Sequence, residues 1–261
     1  MKLTYLGTAS VLLEYSGQRM LTDPVFDPSG RTYSMGPAGV PERWFASTRS
    51  YEVPLATQQI GHLDAVLLSH DHHRDNLDDA GRELLGSDAV DAVISTPAAA
   101  RRLRLAKLSG LRTGDSTALG AVTVRAVAAQ HGPRWVPQTG QVTGFELTAA
   151  GEPSVWLSGD TVLTDAVREA ARSMRGIDVA VINAGGVRFP SAPLVGKALF
   201  TFTPEQFVEV CRLVDPRVII PVHRSGWSHF QPENDLRRAL DAAGLLERTR
   251  WLGLGESTEI V

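Results

Sequence analysis

Cysteine is almost absent from this chain: Cys211 is the only one in 261 residues. A single thiol excludes an internal disulfide and any multi-cysteine metal site, and it is compatible with a reducing cytoplasm. Long apolar runs are missing too. No stretch approaches the ~20 apolar residues of a membrane helix. The opening MKLTYLGTASVLLEYSGQRM alternates apolar and polar residues and contains Glu14, which makes it a poor secretion signal. No run of Lys or Arg exceeds a pair, and the net charge is −3, so nothing points to nucleic acid or another polyanion as partner. Low-complexity linkers, composition breaks and short repeats are lacking as well. These absences lead to the expectation of a cytoplasmic protein folded as one domain over residues 1–261, with neither nucleic acid nor membrane as partner.

What is present is a layered α/β pattern. Short strands are expected at Lys2–Leu6, Val11–Tyr15 and Arg19–Thr22, where β-branched or aromatic residues lie between the turn signals Gly7 and Ser16–Gly17. Residues 24–60 are irregular, rich in Pro, Gly and aromatic residues, and read as a lid or pocket wall. Strands and helices then alternate. Strands are expected at Asp64–Ser69, Val90–Ser95, Val122–Ala128, Val142–Leu147, Ser154–Leu157, Ile177–Ile182 and Arg217–Val222, with closing strands at Arg250–Leu252 and Thr258–Val261. Helices are expected at Asn76–Leu85, Pro97–Leu108, Val162–Arg175, Thr203–Val214 and Pro232–Ala243. For the fourth, Thr203 is the expected N-cap, with Gln206 closing a capping box. The order, β-rich then βα twice over, suggests two sheets with helices outside.

Histidine is scarce, seven in all, yet three of the seven fall in LLSHDHHRDNLDD at residues 67–79. The apolar strand DAVLLS runs into His70, His72, His73, Asp75 and Asn76; VTVRAVAAQ runs into His131; SVWLSG into Asp160; RVIIPV into His223. Four strands thus deliver His or Asp just past their carboxyl ends, where loops converge in α/β folds. Imidazole nitrogens and carboxylate oxygens are the ordinary ligands of zinc, manganese and iron. Alone, His131 or His223 would read as a satisfied core histidine and Asp160 as a turn residue. Their shared placement makes a metal site the stronger reading.

The ordered motifs SHDHHRDNLD, AQHGP, LSGDT and IIPVH, with the opening LTYLGTASVLLEYSGQRMLTDP, resemble those of metallo-β-lactamase-fold metal-dependent hydrolases over nearly the whole chain. The similarity looks closest to the branch that includes ascorbate-6-phosphate lactonases. The resemblance implies a four-layer αββα sandwich with metals in a groove at one edge of its two sheets. It implies that two histidines of the first motif join His131 on one ion. Asp160 would bridge, Asp75 and His223 would hold a second ion, and Asp23 would support the site from behind. The family's usual His-x-His-x-Asp-His is one residue longer here, and Asn76 stands at the last histidine. Two registers are open, His70 with His72 or His70 with His73; the second keeps the pair beside Asp75 and Asn76 intact. Asn76 leaves three outcomes: a second site with a harder ion such as manganese, a weak second site, or an asparagine that caps the following helix.

Beyond these ligands, Asp75 and His229 are the candidates for contact with the reacting groups, His229 as general acid or substrate contact. Arg188 is a candidate for an anionic substrate group, and Trp227, with Phe230, Trp44 and Tyr33, for an apolar pocket. The expected activity is hydrolysis of an ester, lactone, amide or phosphoester of a small molecule, using one or two zinc or manganese ions. A mono-iron oxygenase on the same scaffold and a non-catalytic metal-binding protein are the alternatives.

Overall fold

The computed structural model describes residues 1–36, 39–136 and 139–261; expectations for residues 37 and 38, within the irregular 24–60 stretch, lie outside them. In chain order the strands are β1 (Lys2–Gly7), β2 (Ser10–Tyr15), β3 (Gln18–Thr22), β4 (Thr32–Ser34), β5 (Ala46–Thr48), β6 (Leu63–Leu67), β7 (Val90–Ser95) and β8 (Leu108–Gly110). They continue as β9 (Ser116–Leu119), β10 (Val122–Ala128), β11 (Thr143–Thr148), β12 (Val155–Leu157), β13 (Val179–Asn183), β14 (Val218–Val222) and β15 (Ser257–Glu259). The helices are α1 (Thr57–Ile60), α2 (Asp79–Gly86), α3 (Pro97–Leu103), α4 (Asp165–Ser173), α5 (Pro204–Val214) and α6 (Glu233–Ala242).

Two mixed sheets form, ordered β15-β1-β2-β3-β6-β7-β8 and β14-β13-β12-β11-β10-β9. Alternation along each strand decides what faces what. In β14, Val218, Ile220 and Val222 point between the sheets, where they meet Leu3, Leu13 and Met20 of the other sheet. Ile219, between them, points outward to Phe207 and Cys211 of α5 and Leu240 of α6. On the other sheet Leu12, Leu21, Val66 and Val93 face outward against Leu84 and Leu85 of α2. Three apolar layers therefore separate four layers of backbone, the αββα sandwich expected from the motifs.

Local chemistry moves several boundaries. The helix expected from Asn76 starts at Asp79, because the Asp78 side chain accepts from the Gly81 N–H and is the N-cap. Asn76 is therefore not a cap; it is buried two residues earlier. The helix expected to run to Leu108 ends at Leu103, where Arg104 takes a left-handed conformation and the chain returns as edge strand β8. Thr203 caps α5 as expected, but Gln206 does not complete the box: its Oε1 has no partner among the described residues. Residues 250–252 form no strand; the Arg250 N–H instead donates to Ile219 O at 2.8 Å. The irregular 24–60 stretch contains an unexpected hairpin, β4 paired antiparallel with β5. It is pinned to α2 by the buried pair Arg49 Nη1–Asp78 Oδ2 at 3.4 Å and by Asp27, whose N–H donates to Asp78 and whose Oδ1 accepts from Ala80 N.

Candidate metal centre

Strand direction brings the site together. β10 and β12 both run antiparallel to β11, and β12, β13 and β14 are mutually parallel. The carboxyl ends of β10, β12 and β14 therefore leave one edge of the second sheet, and deliver His131, Asp160 and His223. In the first sheet β3 and β6 are parallel neighbours, so Asp23 emerges beside Ser69 and His70. Backbone strain collects here: Asp23 and His223 have φ of 32° and 51°, a region disfavoured for side-chain-bearing residues and tolerated mainly where surrounding structure enforces it.

Two donor groups result. In the first, His70 Nε2 is 3.3 Å from His73 Nδ1, and His73 Nδ1 is 2.8 Å from His131 Nε2. The outer contacts fix the tautomers. His131 Nδ1 lies 2.7 Å from the Phe200 carbonyl, which can only accept, so Nε2 carries the lone pair. Ser69 Oγ donates to Asp23 Oδ2 at 2.7 Å and so accepts from His70 Nδ1 at 2.9 Å, again leaving a lone pair on Nε2. A single proton on His73 Nδ1 can serve only one of these two lone pairs, whereas a cation serves all three nitrogens. Burial, with the neighbouring imidazoles, holds His70 and His73 well below the ordinary 6.5; burial also lowers His131, against the pull of Asp160. All three are then neutral near pH 7, the form that binds metal.

The second group is Asp75, Asp160 and His223, all buried. His223 Nε2 stands 3.3 Å from Asp75 Oδ2 and 3.4 Å from Asp160 Oδ2. Asn183 Nδ2 donates to Asp160 Oδ1 at 2.7 Å. This leaves Oδ2 facing both groups, since it is also 3.9 Å from His131 Nε2. Two buried carboxylates require compensating positive charge. Burial opposes the Asp75 anion, but His223 and His229 outweigh it and hold its carboxyl well below the usual range. Burial likewise opposes a charged His223, and Asp160 and Asp75 overcome it and raise its pKa. The donor set of both groups fits divalent cations: three nitrogens in one, two oxygens and a nitrogen in the other.

Not every candidate residue joins these groups. His72 turns aside, its Nε2 3.1 Å from Thr139 O. Asn76 donates from Nδ2 to Asp23 Oδ2 at 3.1 Å, and its Oδ1 is buried without a partner among the described residues. His229 comes in from the loop after β14, with Nε2 3.2 Å from Asp75 Oδ2 and Nδ1 bonded to Ser47 Oγ. Arg188 is turned away, donating to Lys197 O at 2.8 Å. Trp227 packs in the core beside Tyr33, and its Nε1 donates to Thr8 Oγ1 at 2.9 Å; the Thr8 carbonyl in turn accepts from the His223 N–H. Trp227 therefore braces the His223 backbone and does not line the cavity. Over the donor groups lies a partly open cavity of about 20 Å³, with Met35, Phe45, Val187, Phe189 and Phe200 as its apolar wall. Asn183, Ser69 and Ser47 were missed from sequence. Asn183 was the most findable, since it ends the apolar strand between β12 and β14.

Among the described residues no helix is long and apolar enough to cross a membrane. The model of the β-lactamase superfamily domain matches residues 18–224. A metal-dependent hydrolase of Pelotomaculum thermopropionicum is 26% identical over the full length of both chains. A possible metal-dependent hydrolase of Veillonella parvula has the same fold, with a TM-score of 0.82 at 20% identity over 100% of this chain and 99% of its own. An isothiocyanate hydrolase from Delia radicum gut bacteria superposes with a TM-score of 0.80, also at 20% identity and with the same coverage. These matches reach the superfamily and not the narrower lactonase-like branch. With its strand-end donors, its αββα layers and this match, the chain belongs to the β-lactamase superfamily of metallo-β-lactamase fold.

Proposed function

We propose that this chain is a hydrolase that holds two divalent ions side by side and acts on a small, largely apolar electrophile in the cytoplasm, as a single domain spanning residues 1–261. The observation that carries the reading is Asp160 Oδ2, which faces His131 on one side and His223 on the other. His70, His73 and His131 would hold one ion, with zinc suited to three imidazoles; Asp75, Asp160 and His223 would hold the other, where oxygen donors suit manganese as well. When bound, such ions lower the pKa of water toward ~7 and polarise the bond to be cleaved.

The chain's own residues do the rest. Asp160 fixes the spacing of the two groups, with Asn183 holding its other oxygen. Asp23 and Ser69 hold the His70 ring in the lone-pair-forward tautomer. Met35, Phe45, Phe189 and Phe200 exclude bulk water, which strengthens every charge interaction inside. Arg188 is directed elsewhere, and among the described residues no Lys or Arg side chain lines the cavity wall. Small esters, lactones and isothiocyanates match such a wall.

The test is a substrate panel run on ion-loaded and chelator-treated protein. Turnover of a small neutral electrophile, lost with chelation and restored by zinc or manganese, is the expected result. Loaded protein that turns over only phosphorylated compounds would overturn the substrate class; turnover insensitive to chelation would overturn the reaction.

A further inference from the structure

We propose that His229 is a ligand of the second ion, standing in for the histidine that the family's first motif carries where this chain has Asn76. The inference rests on the two-ion reading above and names a donor that reading leaves out. Asp75, Asp160 and His223 supply three donors to the second group, and the motif's own fourth donor is lost. Zinc binds nitrogen at about 2.0–2.1 Å and carboxylate oxygen at about 2.0–2.2 Å, so neighbouring ligand atoms around a tetrahedral ion stand roughly 3.4 Å apart. His223 Nε2 lies 3.3 Å from Asp75 Oδ2, and His229 Nε2 lies 3.2 Å from that same oxygen. Each imidazole thus stands at co-ligand spacing from Asp75 Oδ2, and His229 lies just outside the group of Asp75, Asp160 and His223, whose donor atoms are all within 4.8 Å of one another.

The surroundings of His229 are those of a held ligand. Its Nδ1 is bonded to Ser47 Oγ, the outer contact that fixes ring orientation in metal-binding histidines. Its ring stacks on Phe189, with centroids 5.4 Å apart. Asn76 is placed differently: its amide nitrogen is committed to Asp23, behind the site. The second ion would thereby be tied to the loop after β14 and, through Ser47, to the β4–β5 hairpin. A motif that looks incomplete in one dimension is completed from residue 229.

Ion stoichiometry after saturation with zinc and removal of excess tests this without any substrate. The wild-type chain is expected to hold two ions, His229→Ala one, and Asn76→Ala two. The double variant His229→Ala with Asn76→His is expected to recover the second ion. His229→Gln, which keeps the volume, is expected to hold one ion and serves if the alanine variant fails to fold. Two ions retained by both His229 variants would overturn the assignment while leaving the hydrolase reading intact. One ion in Asn76→Ala would give the donor role to Asn76 instead. A wild-type chain that takes up none would overturn the hydrolase reading along with this one.

Discussion

The two donor groups differ in how they are held. The imidazole group is braced from outside: His70 through Ser69 to Asp23, His131 by the Phe200 carbonyl. The carboxylate group is braced unevenly. Asp160 is held by Asn183, but His223 Nδ1 is buried with no hydrogen-bond partner among the described residues. The first group is neutral and ready for a cation in the absence of one. The second carries two buried carboxylates and needs a cation, or a protonated His223, to be stable. The first ion should therefore bind into a preformed site, and the second should be more tightly linked to the stability of the fold.

The strongest perturbation of this comparison is to remove the residue that faces both groups. Asp160→Ala is expected to lower kcat/KM on the order of 10³-fold or more, because both ions lose a donor or its positioning; a loss under tenfold would mean that the groups act independently. A smaller effect, confined to the first group, is expected from Ser69→Ala. Loss of an outer contact to a ligand costs about 10–100-fold in ion affinity, and competition with a chelator of known strength should find one weakened ion, not two.

The Asp23 carboxyl gives a subtler readout. Burial, outweighing its bonds from Ser69 and Asn76, pushes it from 3.8 up to about 7. A carboxyl raised in the folded state lends stability that is fully present below about pH 4 and lost as pH rises through about 7. Ion-free wild-type protein should therefore lose Tm relative to Asp23→Asn across that window, and parallel Tm profiles of the two would contradict the buried placement. The smallest effect is expected of His72→Ala: its Nε2 is turned to the Thr139 carbonyl, so both ions should remain. A lost ion would show that the first motif is read in the other register.

The contrast between the groups also explains what the sequence could and could not reveal. The strand-end positions of His70, His131, Asp160 and His223 were legible because each follows an apolar run, and parallel strands must release them at one edge. The choice between His72 and His73 was not legible, since it depends on how the loop turns after His70. That turn is set by contacts distant in sequence, Arg102 on Asp71 and Thr139 on His72. Asn76 looked like a helix cap because asparagine is a good one; Asp78, two residues on, takes that role, and Asn76 is drawn in by Asp23 from 53 positions away. Trp227 and Arg188 sat on the right loops but point to Thr8 and Lys197. The hairpin in the 24–60 stretch was invisible because its strands are three residues each and depend on the buried Arg49–Asp78 pair.

The central claim is that two ions lie on either side of Asp160. Anomalous diffraction from a zinc-loaded crystal tests it most directly. Two peaks are expected, one enclosed by His70, His73 and His131 and the other by Asp75, Asp160 and His223. A single peak, or peaks away from these residues, would contradict it.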